Sequence, residues 1–402
     1  MNFDVTTNVL MYSFLFAFLF GAISQKTNFC TMGAVSDWVN MGNTARMASW
    51  FLAMSVAIIG VVIIENVFSV PIDTTIPPYR TENFSWLRYI LGGLMFGIGM
   101  TMAGGCGNKT LVNIGTGSLR SFFVLFVASI MVFVMNKTSF YEVFFHSWIN
   151  YTSIDLNQFN IKSQSIVDVF AAVFGVEVTK TLKTLLPLLL VSIILLYTFR
   201  SRPLRNNKQL LFAGVSIGFI IVMGWYITGG PIGQAAISTV EWLDHKPLGV
   251  GVQSYTFINP MGELLVYLGS PSNTLLITFG LVALFGVILG SFSSSVYTHS
   301  FSITLFSSKD DLVKHFIGGV LMGVGGVLAM GCTIGQGITG VSTLAMGSFM
   351  ALFSIILGAA VSLKMSYYKM IYEDEATFFS SFISTLVDLR MLPEALRKLE
   401  KP

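Results

Sequence analysis

The sequence predicts an all-α polytopic membrane protein: about nine transmembrane helices, together with short broken or re-entrant helices, arranged as an inverted internal repeat. Three observations carry this. Hydrophobic residues make up 53% of the 402 and charged residues only 11%, against the roughly 25% charge of an ordinary soluble domain. Apolar runs of about 20 residues, the length that crosses a hydrocarbon core, recur along the whole chain. One glycine-laced motif occurs twice.

The runs fall at 7–25, 45–68, 87–105, 119–136, 182–200, 209–229, 273–298, 314–332 and 348–369. The first has Asp4 before it, no Lys or Arg before Lys26 and no small-residue cleavage site after it, so it reads as a retained span and not a signal peptide. Between the runs lie 27–41, 106–117 and 333–346, too short or too polar to cross, which read as short helices or broken segments held inside the protein. Irregular backbone at membrane depth survives only where protein or a watery path surrounds it.

The duplicated motif ends on a cysteine each time. A shift of 226 residues lays Gly92, Gly93, Gly97, Gly99, Ala103, Gly105 and Cys106 on Gly318, Gly319, Gly323, Gly325, Ala329, Gly331 and Cys332, a self-similarity that marks an internal duplication. The expected organisation is a first membrane half, 1–200, with the first repeat and an extracytoplasmic insertion at about 137–181. A second half, 201–369, holds the second repeat, and 370–402 forms a cytoplasmic tail.

Orientation follows from basic residues, which gather in cytoplasmic loops. Arg200, Arg202, Arg205 and Lys208 form the densest cluster between spans and make that loop cytoplasmic. Nine spans then leave the N-terminus outside and the C-terminus inside, with 16 of the 23 basic residues on the cytoplasmic face. The spans 87–105 and 314–332 run in opposite directions, so the repeats are inverted. Cys106 and Cys30 fall toward the cytoplasmic side and Cys332 toward the outer side.

The stretch 165–177 reads as an amphipathic helix, covering the bundle or lying on the membrane surface. Pro231, Pro247, Pro260 and Pro271 forbid a continuous helix over 230–272. The tail beyond 370 alternates charged and apolar residues as a solvated helix does. Net charge is +3 and dispersed, which excludes a nucleic-acid footprint. Three cysteines far apart, with no Cys-x-x-Cys pair, exclude a disulfide framework and a structural zinc site, and no cofactor is implied.

Candidate functional residues gather at the two cysteine breaks. Small-xxx-small spacing such as Gly93/Gly97 and Gly319/Gly323 serves close helix packing, but glycines at a break also leave amides free, and a helix N-terminus aimed into a cavity attracts anions. Asn108, Lys109 and Thr110 follow Cys106; Thr333 and Gln336 follow Cys332. A buried cysteine taken singly is an ordinary hydrophobe. Three at three breaks, Cys30, Cys106 and Cys332, form a row of neutral, polarizable donors that suits a soft sulfur-bearing anion held briefly and released. Lys109 is a costly intramembrane cation facing a path, or it snorkels to the surface. Glu65 reads as interfacial, and Asp37 and Arg46 as partners of each other.

The segments QKTNFCTMGAVSD (25–37), GGLMFGIGMTMAGGCGNKTL (92–111) and GGVLMGVGGVLAMGCTIGQGITGVS (318–342) resemble the YeeE/YedE family of sulfur-compound transporters, and the order of spans agrees over about 8–369. The resemblance implies a multi-pass inner-membrane permease that imports thiosulfate or a close sulfur anion and is not an enzyme. It implies a relay by transient hydrogen bonds, with Cys332 at the outer entry, Cys106 in the constriction and Cys30 toward the exit, and a cytoplasmic TusA-like sulfurtransferase as partner. Asn113 stands where many relatives have a basic residue, and Lys26 and Asn28 where the first motif often has Arg.

Rival chemistries remain. Met32, Met102 and Met330 near the cysteines would suit a copper(I) permease, although no two ligands show a metal spacing. A membrane thiol transferase with Cys106 as nucleophile needs a base, and His146, His245, His299 and His315 all fall near loops or span ends. GGCGNKT (104–110) imitates the end of a phosphate loop but has Asn108 where that loop has glycine, and no nucleotide domain accompanies it.

Overall fold

The computed structural model describes residues 3–243, 245–373 and 376–400. Among them, nine stretches are helical, long and apolar enough to cross a membrane. The first series is α1 (Phe3–Thr27), α2 (Thr31–Met41), α3 (Ala45–Val67), α4 (Trp86–Met102), α5 (Gly107–Gly115) and α6 (Leu119–Lys137). An intervening part holds α7 (Ser147–Tyr151), α8 (Ile166–Phe174), α9 (Lys180–Arg200) and α10 (Arg202–Arg205). The second series is α11 (Lys208–Gly229), α12 (Pro231–Glu241), α13 (Asn259–Gly269), α14 (Phe279–Tyr297), α15 (Lys309–Leu328), a π-helical stretch Gly335–Gly340 and α16 (Met346–Tyr372), followed by α17 (Phe378–Asp388).

Local chemistry sets the ends. The expected span 273–298 is helical only from Phe279, because Asn273 caps a separate 3-10 turn at Thr274–Leu276 and Thr278 then accepts from the Leu281 amide to start α14. The expected span 314–332 begins instead at Lys309, where Ser308 accepts from the Asp311 amide, and ends at Leu328. Its end repeats that of α4. The Gly105 amide donates to Met100 at 2.9 Å and the Gly331 amide to Gly326 at 2.8 Å, the closing bond of a Schellman turn. Gly104 and Met330, again 226 apart, both take the left-handed conformation, which Met330 adopts despite its side chain.

The same register governs packing. Gly92 and Gly325 meet across α4 and α15, as do Gly99 and Gly318, so the two helices lie antiparallel with backbone against backbone. Gly93 and Gly97 close on α16 at Ala351, Ser354 and Ile355, while Gly319 and Gly323 close on α6 at Val124, Val127 and Ala128. Gly60 of α3 packs on Val222 of α11, and its counterpart Gly286 of α14 packs on Ala17 of α1. These glycines of each series are thus buried in the other, and the two interlock.

The stretch 138–179 covers one end of the bundle. A two-residue antiparallel pairing joins Asn83–Phe84 to Ile154–Asp155. The Ile166 amide donates to Leu344 at 2.9 Å, and buried Gln164 donates to Tyr89 Oη and accepts from the Gly347 amide. α8 buries only Val167 and Ala171, leaving its other face to the surroundings.

Arg46 forms a two-pronged pair with Asp37, as expected. Glu65, expected as an interfacial group, is bound by Arg80 at 2.9 Å, and Arg80 also donates to the Thr343 carbonyl. The tail differs from a freely solvated helix: α17 docks on α16 through Asp388, which binds Lys364 and Arg397. Residues 374, 375, 401 and 402 of the expected tail lie outside the described residues.

Candidate functional site

All three cysteines start helices. The Ala34 amide donates to Cys30 O at 3.0 Å, the Thr110 amide to Cys106 O at 2.8 Å, and the Gln336 amide to Cys332 O at 2.8 Å. Each cysteine is therefore the residue whose carbonyl accepts the first helical bond, while its own backbone is still extended at Cys30 and Cys106. First-turn amides at each start turn toward the thiol: Met32 and Gly33 at Cys30, Lys109 at Cys106, and Gly335, whose N–H reaches Cys332 Sγ at 3.4 Å. A thiol and the positive end of a helix thus converge three times.

The folding brings the three together. Cys30 and Cys106 face each other thiol to thiol, and the Thr333 hydroxyl lies beside Cys106. Across the gap, a methyl on Gly107 would stand 3.7 Å from Cys332 Cβ. Cys30 is 7% exposed, Cys106 1% and Cys332 0%, so this is a sealed interior and not a surface groove.

Polar atoms in that interior lack partners. Thr31 Oγ1, Asn108 Oδ1, Thr333 Oγ1 and Gln336 Oε1 are buried without a hydrogen bond among the described residues. Each such atom costs about 1–3 kcal/mol when left unmet. Four of them lie in the first turns behind the three cysteines.

The other expected residues take distinct stations. Gln336 is anchored by its Nε2 on Ala329 O at 2.6 Å, which fixes the free oxygen. Thr110 is buried directly behind Cys106 in α5. Lys109 is half-buried, lies close to Cys30, and donates from Nζ to Asn28 Oδ1 at 3.4 Å. It belongs to the Cys30 end of the row. His315 comes near the break before Cys106: a methyl on Gly104 would lie 3.7 Å from its Nε2, while Nδ1 binds Asp311. The Met330 thioether accepts from Tyr89 Oη at 3.7 Å.

Sequence reasoning missed Thr31, Tyr79 and Trp50. Thr31 carried a signal, since the Cys-Thr dipeptide at 30–31 recurs at 332–333. Tyr79 Oη donates to Gly335 O at 2.7 Å and supports the turn after Cys332. Trp50 lies across Gly337 with its indole N–H buried and unpaired among the described residues. Neither had a motif to betray it.

The geometry has close company among known proteins. A family model described as sulphur transport matches residues 26–361. The chain is 26% identical to the thiosulfate transporter TsuA of Escherichia coli K12 over 85% of its own length and 90% of that protein's. It is 23% identical to the thiosulfate transporter TsuA of Spirochaeta thermophila, over 86% and 95% respectively. All three cysteine stations lie inside the matched region. The chain belongs to the sulphur transport family, the YeeE/YedE proteins.

Proposed function

We propose that the protein imports thiosulfate, or a close sulfur anion, through the interior where the three cysteine-started helices meet. The observation that carries this is the set of unpartnered buried polar atoms at Thr31, Asn108, Thr333 and Gln336, and the names of the two relatives supply the cargo. In this reading Cys332 receives the anion from outside, Cys106 holds it in the constriction and Cys30 passes it to the cytoplasmic mouth. Thiols and amides give the anion donors at each station. Lys109 near Cys30 supplies a cation close to the row and draws the anion inward.

The wider arrangement follows the same reading. The protein resides in the inner membrane with its N-terminus outside and C-terminus in the cytoplasm, its halves 1–200 and 201–369 forming the path between them. The released anion meets a cytoplasmic TusA-like sulfurtransferase. The test is uptake of radiolabelled thiosulfate into proteoliposomes by the parent and by Cys30→Ala, Cys106→Ala and Cys332→Ala, with sulfate, selenite and copper(I) as competitors. Accumulation by the parent and its loss in each folded variant supports the relay. Uptake by Cys106→Ala at the parent rate removes it, and transport of copper(I) in place of thiosulfate makes the cysteines metal ligands.

A further inference from the structure

The 226-residue register extends beyond the duplicated motif. It pairs Gly60 with Gly286, which make equivalent contacts on α11 and α1. The same shift lays Phe29, Cys30 and Thr31 on Tyr255, Thr256 and Phe257. Thr256 is therefore the second-series counterpart of Cys30.

The contacts agree. In the first series Cys30 lies beside Cys106 and near Lys109. Lys109 plus 226 is Gly335, and Gly335 is where Thr256 sits: a methyl on Gly335 would collide with the Thr256 hydroxyl. The Gly335 amide meanwhile reaches Cys332 Sγ at 3.4 Å. The hydroxyl of Thr256 and the thiol of Cys332 thus flank one glycine of the turn. Tyr255 and Phe257 on either side are fully buried, whereas Thr256 is half-buried, and its hydroxyl makes no hydrogen bond among the described residues.

One difference between the series has a simple cause. The Ala34 amide donates to Cys30 O, but the residue equivalent to Ala34 is Pro260, which has no N–H to offer the Thr256 carbonyl. The helix accordingly starts two residues later, at Asn259. Thr256 is left in the non-helical chain just ahead of it, against the same turn.

Resting on the proposed import of a sulfur anion, we propose that the Thr256 hydroxyl is a fourth donor to that anion, standing to Cys332 as Cys30 stands to Cys106. The outer station is then a hydroxyl and a thiol over glycine, and the inner station two thiols beside an ammonium. A hydroxyl donates more strongly to oxyanion oxygen than a thiol does, which suits first capture of the oxygen-bearing end of the anion.

The experiment compares two matched pairs in proteoliposome uptake of thiosulfate: Thr256→Val against the parent, and Thr256→Ala against Thr256→Ser. Each pair removes the hydroxyl at nearly constant shape. Loss of a hydrogen bond to a charged group is expected to raise KM about tenfold in both pairs, with a smaller change in kcat. If the parent transports and KM stays within about twofold in both pairs, Thr256 is a packing residue and the thiol relay stands without it. If the parent takes up no thiosulfate, the proposed cargo falls and this assignment with it. Should Thr256→Val not fold, as judged by its elution profile, the Ser and Ala pair decides the same question.

Discussion

A methyl group on Gly318 would stand 2.6 Å from the backbone nitrogen of Ala103. The mirrored relation joins Gly92 to the backbone nitrogen of Ala329, so the crossing of α4 and α15 reads the same from either end. Contacts of this kind admit no side chain on the glycine, and membrane helices use them because lipid supplies no hydrophobic drive for association.

Gly318→Val should therefore destabilise the bundle by about 1–3 kcal/mol or more through overpacking. The readout is the melting temperature of the purified protein in detergent. Gly269→Ala, at a position with open space around it, serves as the near-neutral comparison. Equal melting temperatures for the two variants would mean that the crossing relaxes freely.

Lys109 is tied to Asn28 and sits beside the Cys30–Cys106 pair of thiols. Lys109→Ala should weaken uptake by about tenfold, the scale of one lost charge-assisted bond, while Lys109→Arg should keep most of it. The effect of Lys109→Ala should shrink as ionic strength rises, since a half-buried charge is partly screened. Identical uptake by parent, Arg and Ala proteins would make the ammonium a surface group.

Asp388 is 3% exposed and takes bonds from Lys364 at 3.2 Å and Arg397 at 2.8 Å. Burial alone would push its carboxyl up; the bonds from Arg397, Tyr368 and Lys364 outweigh that and hold it below the ordinary 3.8. A carboxyl depressed in the folded state gives stability that is present above the unfolded value and lost as pH falls through the folded one. The tail should stay docked at neutral pH and loosen below about 3.8, read as faster hydrogen exchange over 378–400. Asp388→Asn should loosen it at neutral pH by about 3 kcal/mol, because Lys364 and Arg397 lose their shared partner. Unaltered exchange in Asp388→Asn would assign the docking to α17 packing alone.

Much of this was legible in the sequence. The spans stood out because lipid demands long apolar runs, and the breaks at Cys30, Cys106 and Cys332 because glycine and polar residues interrupt them. The eight expected site residues lie in or beside those breaks, since a helix start fixes its own first turn. The boundary at Phe279 escaped because Thr278 capping, not hydropathy, decides it. Thr256 escaped for a different reason: α12 and the loop after it separate α11 from its motif, and Pro260 shifts the next helix start, so the register is hidden until contacts reveal it. Tyr79 and Trp50 act from loop and span positions that have no pattern at all.

Because α4 beds on α16 and α15 on α6, with main chain touching main chain between them, neither series is free to swing as a block. Rocking one against the other would drive peptide groups together before any gap opened. In the proposed relay the cargo then travels while its housing stands still, advanced by rotations of thiols, hydroxyls and the Lys109 chain that take nanoseconds and not by the slower swing of domains. Such a conduit works as a molecular sieve with sticky rungs, and its throughput should depend little on the thickness or stiffness of the bilayer around it.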